Sequence, residues 1–242
     1  MKINKRYQDI FDQYIHKGEP TPFTIGTLVV CAFCFLLFII ATFTQFNFSH
    51  VWFKLQAGAG FVASDKIVAY NPIIPTMIFI VYILGKKYSY LLFTAYLIVG
   101  FFIWPLFVLG GGFKYIQNYL FGYLLGFIPL TIISGTIFKL NQTIKARILG
   151  TTLGVLSVHV CGFFYCILLA ILRVIDFSII GPIVNIVSIN KIIYDILFSL
   201  IVILIAPYIK NIFWTCMKPK VNKPKKLKNS RKRRQIVSDD VD

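Results

Sequence analysis

Charged residues are scarce in this chain of 242 amino acids, at 14% of the total, and only nine residues are acidic. A water-soluble domain usually carries about 25% charged residues, because charge covers the surface that faces water. Here 57% of the residues are hydrophobic, and the charges gather near the two ends or between long apolar runs. The composition therefore excludes an ordinary soluble domain and indicates an integral membrane protein.

The sequence also lacks the motifs on which nucleotide hydrolysis and acid–base chemistry depend. It contains no Gly-x4-Gly-Lys-Ser/Thr phosphate loop, since Gly85-Lys86-Lys87 has neither the upstream glycine nor the hydroxyl. The apolar runs hold no paired carboxylates, and the three histidines are scattered, at His16, His50 and His159. These absences argue against an enzyme, and no cofactor is expected.

Five cysteines are present, and two of them, Cys31 and Cys34, form a Cys-x-x-Cys pair. A zinc or redox site would need a second pair or a histidine cluster as partner. Neither accompanies this pair, so the cysteines are interpreted as core residues of apolar helices, and no metal site is expected.

Apolar stretches long enough to cross a membrane dominate the sequence. A spanning helix needs about 20 mainly apolar residues. The fold class expected is an all-α bundle of six transmembrane helices within residues 22–217, preceded by segment 1–21 and followed by a disordered basic tail, 218–242. The predicted spans are Pro22–Thr44, Ile73–Gly85, Tyr88–Leu109, Tyr119–Leu140, Ile148–Val174 and Ile192–Trp214.

Lysine and arginine are shared unevenly between the two sides of the predicted bundle. One side, with both ends of the chain, holds 20 of the 25 Lys and Arg residues. Positive charge accumulates in the cytoplasmic loops of membrane proteins, so both termini are predicted to be cytoplasmic and the protein to be multi-pass in the plasma membrane. The opposite loops hold Lys54, Lys66, Lys114, Arg173 and Lys191.

The basic tail, residues 218–242, accounts for much of the net charge of +16. Nucleic acid binds such segments, but a basic segment beside a membrane exit holds the topology and attracts anionic headgroups. Membrane lipid is therefore the expected partner of the tail, and nucleic acid is not.

Polar residues and irregular backbone collect on the outward side. Gly110, Gly111 and Gly112 interrupt the apolar pattern, which predicts either a tight turn or a lid over a ligand. Asp195 lies near the start of the last span, where it is either a helix-start carboxylate or a ligand or pairing group. His159 is expected to be buried beside a hydrogen-bond partner. The Gly-x3-Gly pairs Gly122/Gly126 and Gly150/Gly154 predict close helix packing, within one chain rather than between copies.

Several short motifs follow one another in a recognisable order between Ala69 and Trp214. The sequence resembles the BioY family, the biotin-binding S components of energy-coupling-factor transporters, and is most similar to its cyanobacterial-type members. The motifs that carry this resemblance are Tyr96-Leu-Ile-Val-Gly100, Pro105-Leu-Phe107, Gly110–Gly112, Tyr119–Phe127, Val158–Tyr165 and Ile193-Tyr-Asp-Ile196.

The resemblance implies a six-helix bundle that captures biotin outside and releases it inside, with ATP hydrolysis supplied by a transmembrane coupling subunit and two ATPases. Lysines would bind the biotin carboxylate, polar side chains the ureido group, and aromatic rings the apolar body. The predicted biotin-binding residues are Lys114, Lys191, Asp195, Tyr194, Asn118, Tyr123, Phe107 and Tyr115, with the loop glycines Gly110, Gly111 and Gly112. Two alternatives remain open: an S component for another small vitamin, and a membrane scaffold whose tail recruits lipid or a partner.

The topology predicts which positions are accessible from outside an intact cell. A cysteine introduced by Lys114→Cys or Lys66→Cys should react with an impermeant thiol reagent, because both positions are predicted to lie in outward loops. Lys86→Cys should react only after the membrane is permeabilised, and labelling of Lys86→Cys in intact cells would contradict six spans.

Overall fold

The structure is a computed structural model that describes residues 25–56 and 60–217. The predicted N-terminal segment, 1–21, and the basic tail, 218–242, lie outside the described residues. The described elements are helix α1 (Ile25–Phe43), strands β1 (Phe46–Gln56) and β2 (Gly60–Tyr70), and helices α2 (Ile73–Phe102), α3 (Leu120–Leu125), α4 (Phe127–Leu140), α5 (Ile144–Ile171), α6 (Ile180–Val184) and α7 (Ile192–Met217).

Five helical stretches in the described part of the chain are long and apolar enough to cross a membrane. Lipid offers no hydrogen bonds to the backbone, so an apolar stretch there satisfies its own amide groups by forming a helix. The five stretches are Ile25–Phe43, Ile73–Phe102, Leu120–Leu140, Ile144–Ile171 and Phe177–Phe213. The protein is therefore a helical membrane protein, as its composition predicts.

The second predicted span and the first two thirds of the third fall within one helical interval, α2, which ends at Phe102 and is broken at Gly85. This glycine has φ of 75° and ψ of 171°, a conformation that no helix contains. Across the break, Ser89 Oγ donates a hydrogen bond to the Ile80 carbonyl at 3.1 Å. In a straight helix those two residues would be about 13 Å apart along the axis. Residues 73–84 and 86–102 are therefore two helical arms that meet at a sharp bend.

The expectation of an all-α chain is wrong for the segment that follows α1. Strands β1 and β2 form an antiparallel hairpin in which Phe46 pairs with Tyr70 and Gln56 with Gly60. Alternation of aromatic or β-branched residues with polar ones favours a strand, and the small residues 57–59 favour a turn. A search for long apolar runs does not detect such a hairpin, because its period is two residues and its hydropathy is moderate.

Tyr96 joins α1, α2 and the following loop at the centre of the bundle. Its hydroxyl donates a hydrogen bond to the Leu106 carbonyl at 2.8 Å and lies 3.3 Å from the hydroxyl of Thr42. Its ring packs edge-on against Phe38, with ring centroids 4.8 Å apart. This buried network fixes the loop after α2 against two helices.

Glycines allow α5 to lie against α3 and α4 at close range. A Cβ atom added to Gly126 would lie 2.6 Å from Val158 Cα, and one added to Gly150 would lie 2.9 Å from the Phe138 ring. The prediction that these Gly-x3-Gly pairs pack helices within one chain is confirmed.

Replacement of Gly126 by alanine should therefore destabilise the bundle. The new methyl group would meet the backbone of Val158, which cannot rotate away, and such overpacking costs about 1–3 kcal/mol. The measurement is the melting temperature of the detergent-purified protein, which should fall by several degrees. Gly181→Ala is the matched control, because a Cβ atom there meets nothing within 4 Å. Equal melting temperatures for the two variants would disprove the packing argument.

Candidate functional site

A cavity lies between α2, α3, α5 and α7, at the end of the bundle where β2 joins α2. Its internal volume is about 110 Å³. Its lining residues are Asn71, Ile73, Ile74, Tyr96, Phe107, Val108, Tyr115, Leu120, Tyr123, Leu124, Phe127, Val158, His159, Val187, Lys191 and Asp195.

Two ionisable side chains from neighbouring helices face each other in the wall of this cavity. Asp195 of α7 is 3% exposed and His159 of α5 is 6% exposed. Nε2 of His159 lies 3.3 Å from Oδ2 of Asp195, at an angle that leaves both ring nitrogens without a hydrogen bond. Buried polar atoms in native proteins are almost always hydrogen-bonded. The pair therefore has unused hydrogen-bonding capacity beside the cavity.

Tyr70, the last residue of β2, brings a third polar group to the same place. Its hydroxyl is buried and makes no hydrogen bond of good geometry. Burial, and next the nearby Asp195 carboxyl, raise the pKa of the Tyr70 phenol above its usual range. The ring lies against Phe198 of α7, with ring centroids 5.2 Å apart. The hairpin is thus anchored on α7 beside Asp195.

A lysine, Lys191, lies about one helical turn before Asp195 in the sequence. Lys191 lines the cavity, and its backbone carbonyl accepts a hydrogen bond from the amide of Asp195 at 2.9 Å. Side chains four residues apart lie on the same face of a helix. The two charges are therefore presented to the cavity together, with Lys191 nearer the end of the bundle.

Aromatic rings also line the cavity. Phe107 and Tyr115 pack with ring centroids 4.8 Å apart, and Tyr96 lies beside Phe107. Tyr123 shares a hydrogen bond of 2.7 Å with the buried hydroxyl of Ser188, and its ring packs edge-on against His159 with ring centroids 6.1 Å apart. The cavity is therefore lined by aromatic rings as well as by polar groups.

Close packing explains the glycine-rich turn, residues 110–112. The Gly112 amide donates a hydrogen bond to the Gly100 carbonyl at 2.9 Å, and a Cβ atom on Gly111 would overlap the Pro105 backbone. Gly112 has φ of 73°, which favours glycine. The turn packs against the end of α2 and supports Phe107, while its glycines do not line the cavity.

Five of the predicted site side chains line the cavity: Phe107, Tyr115, Tyr123, Lys191 and Asp195.

The other three predicted site side chains do not line the cavity. Lys114 is exposed and absent from the lining. The side-chain oxygen of Asn118 accepts a hydrogen bond from the Leu120 amide at 2.9 Å, so it caps the start of α3. Tyr194 stacks on Phe48 of the hairpin, with ring centroids 5.2 Å apart.

The prediction of site residues omits His159 and Tyr70. His159 was expected to be buried beside a hydrogen-bond partner; it is buried 3.3 Å from the Asp195 carboxylate, but neither ring nitrogen makes a hydrogen bond. A histidine inside an apolar run is a detectable signal, but its partner lies 36 residues away, so sequence spacing cannot identify the pair. Nothing in the sequence around Tyr70 predicts that it lies beside Asp195, because its position depends on the hairpin.

Comparison with known proteins identifies a family and a fold. A family model described as the BioY family matches residues 17–214. A crystal structure described as the S-component for biotin from an ECF-type ABC transporter superposes with a TM-score of 0.58 at 18% identity, covering 78% of this chain and 95% of that one. None of the curated proteins matches the chain. At this identity the structural match establishes a shared fold.

The contact between His159 and Asp195 predicts energetic coupling in the protein without ligand. His159→Ala should lower the free energy of unfolding by about 3–5 kcal/mol, because Asp195 loses its buried partner. In a double-mutant cycle with Asp195→Asn, followed by denaturant unfolding in detergent, the two changes should deviate from additivity by about 0.5–3 kcal/mol.

Lys145→Ala is the control for this cycle, since Lys145 is exposed near the start of α5. His159→Ala and Lys145→Ala should be additive within about 0.5 kcal/mol. Additivity of the His159 and Asp195 substitutions would show that the two side chains do not interact.

Proposed function

The chain belongs to the BioY family, and we propose that it is the substrate-binding subunit for uptake of biotin across the plasma membrane. The observation that carries the proposal is the cavity between α2, α3, α5 and α7. It joins the buried ring nitrogens of His159, which make no hydrogen bond, to the Asp195 carboxyl, to aromatic rings and to Lys191. The structural relative described as an S-component for biotin supports the choice of ligand. A member of this family is a transport protein rather than an enzyme.

The chemistry of the cavity matches the three parts of biotin. The ureido ring presents two N–H donors and one carbonyl acceptor. The Asp195 carboxylate accepts N–H bonds, and the His159 ring can donate to the carbonyl. These groups are buried, so their hydrogen bonds to a ligand compete with little water.

The aromatic rings suit the apolar body of biotin. Phe107, Tyr115 and Tyr123 present ring faces and edges to the cavity, and burial of apolar area there contributes about 25 cal/mol per Å². Their positions are set by packing and by the Tyr123–Ser188 hydrogen bond, so little side-chain entropy is lost on binding.

Lys191 is the proposed partner of the biotin carboxylate. It precedes Asp195 by four residues, a rise of about 6 Å, and its flexible side chain adds to that separation. A ligand with its ureido ring at Asp195 and its chain toward the end of the bundle brings its carboxylate to Lys191. Lys114 is the alternative cation suggested by the sequence, but its exposure makes it the weaker candidate.

We further propose that the chain crosses the membrane six times, with both termini in the cytoplasm. The bend at Gly85 divides α2 into two arms, and Lys86 and Lys87 lie at that bend. Lysines at a bend favour its placement on the cytoplasmic side. The cavity lies at the other end of both arms, so it would open outward and collect its ligand from outside the cell.

The energy for uptake would come from other subunits. The sequence has no phosphate loop, so this chain does not hydrolyse ATP by that route. A transmembrane coupling subunit and two ATPases are the proposed partners, as the resemblance of the sequence to this family implies.

Biotin binding to the detergent-purified full chain tests the proposal, by isothermal titration calorimetry or with radiolabelled biotin. Lys191→Ala should weaken binding at least tenfold, because loss of one partner of a desolvated charge pair costs about 2–5 kcal/mol. Asp195→Asn should also weaken it at least tenfold, because a hydrogen bond to a charged group contributes about 1.5–3 kcal/mol. Lys145→Ala, which removes an exposed lysine far from the cavity, should leave the affinity within about threefold. Lys114→Ala should resemble Lys145→Ala if Lys191 is the carboxylate partner.

Two results would refute the assignment. Parental affinity in both Lys191→Ala and Asp195→Asn would mean that biotin binds elsewhere. A well-folded parent protein that binds another small vitamin but not biotin would show that the vitamin is the ligand of this site. Binding of no solute would favour a scaffold.

A further inference from the structure

A second cavity lies at the opposite end of the bundle, around the bend at Gly85. It holds about 1820 Å³ of empty space, including its open side. Its walls come from the bend, from α4 and from the second half of α7. Asp195 and Lys210 belong to different cavities and are about 22 Å apart along α7, so the two cavities are separate.

Four lysines line this second cavity: Lys86 and Lys87 at the bend, Lys139 near the end of α4, and Lys210 of α7. Lys210 is only 8% exposed, and its ammonium lies 5.2 Å from the centre of the Tyr82 ring. The ammonium of Lys86 lies 3.5 Å from the hydroxyl of Thr136. Four positive charges are therefore gathered around one concave surface.

No acidic side chain is among the residues that line this cavity. Asp195 lines the other cavity, and Asp176 directly precedes the turn Phe177–Ile179 before α6. Like charges around a partly desolvated cavity repel one another, and the cost falls when an anion binds between them.

The rest of the cavity is apolar and continues onto the outer face of α4. Ile128 and Ile132 line it beside Leu140, and Ile132 and Leu140 are 43% and 79% exposed. In a membrane-spanning helix such exposed apolar side chains face lipid chains. The cavity thus offers a positively charged pocket with an adjoining apolar strip, which matches an amphiphile with an anionic head.

We propose that this cavity binds the headgroup of an anionic phospholipid, with its phosphate among the four lysines and an acyl chain along Ile128, Ile132 and Leu140. Basic pockets between helices on the cytoplasmic side are known to hold such headgroups. The inference is independent of the ligand in the first cavity. It requires only that these helices lie in a membrane.

The test is native mass spectrometry of the detergent-purified full chain titrated with phosphatidylglycerol or phosphatidylcholine. The parent should bind phosphatidylglycerol at least tenfold more tightly than phosphatidylcholine. Each lysine near an anionic headgroup contributes about fivefold in affinity. Lys87→Gln/Lys139→Gln should therefore weaken phosphatidylglycerol binding at least tenfold, and Lys210→Gln should weaken it further.

Lys145→Gln is the matched control, because it removes an exposed lysine from the same end without touching the cavity. It should reduce phosphatidylglycerol binding less than threefold. All variants keep residues 218–242, so any contribution of that basic segment is common to them. Lys87→Gln/Lys139→Gln changes exposed side chains only, so its melting temperature should equal that of the parent, and it remains informative if Lys210→Gln fails to fold.

Two outcomes would overturn the proposal. One is equal affinity of Lys87→Gln/Lys139→Gln and Lys145→Gln for phosphatidylglycerol. The other is displacement of the lipid by inorganic phosphate at equal concentration, which would assign the cavity to a free phosphate instead. Retention of the lipid against excess inorganic phosphate supports the lipid.

Discussion

A buried carboxylate, that of Asp195, is the constraint around which the polar part of this protein is organised. Burying a charged group costs several kcal/mol unless it is paired or hydrogen-bonded, so Asp195 needs partners. Three other parts of the chain supply them: His159 from α5, Tyr70 from β2, and Lys191 just before α7. The hairpin, α5 and the start of α7 therefore meet at this carboxylate.

Helix contact, in turn, depends on small residues. Gly126 removes the side chain that would collide with the Val158 backbone, one residue before His159. Gly162, one turn after His159, leaves room for the ring of Tyr123. These glycines therefore do more than let the helices approach. They also determine how far His159 and the ring of Tyr123 extend into the cavity. An added methyl group at either position would displace the site as well as the helix.

Sequence reasoning could predict what depends on local composition, and it failed where distant segments determine the outcome. Apolar runs predict the helices, and Gly85 with its neighbouring lysines predicts a turn between two spans. The hairpin and the position of Tyr70 were not predicted, because strands that alternate apolar and polar residues have only a moderate mean hydropathy. Asn118 shows the limit of prediction for polar residues. A side-chain amide can bind a ligand or cap the start of a helix, and only the hydrogen bond from the Leu120 amide distinguishes the two roles here. Five of the residues that line the cavity could be predicted, because the resemblance to a known family indicated which motifs follow one another along the chain.

The unpaired polar atoms around the cavity bear on release as much as on binding. A buried donor or acceptor without a partner costs about 1–3 kcal/mol, and a ligand that supplies a partner to His159 recovers that free energy. The same free energy must be returned when the ligand leaves. A binding subunit acting alone only equilibrates its ligand, however tightly it holds it. If biotin completes this network, its release on the other side of the membrane needs free energy from outside this chain. Tight binding and the need for an external energy source would then have one physical origin.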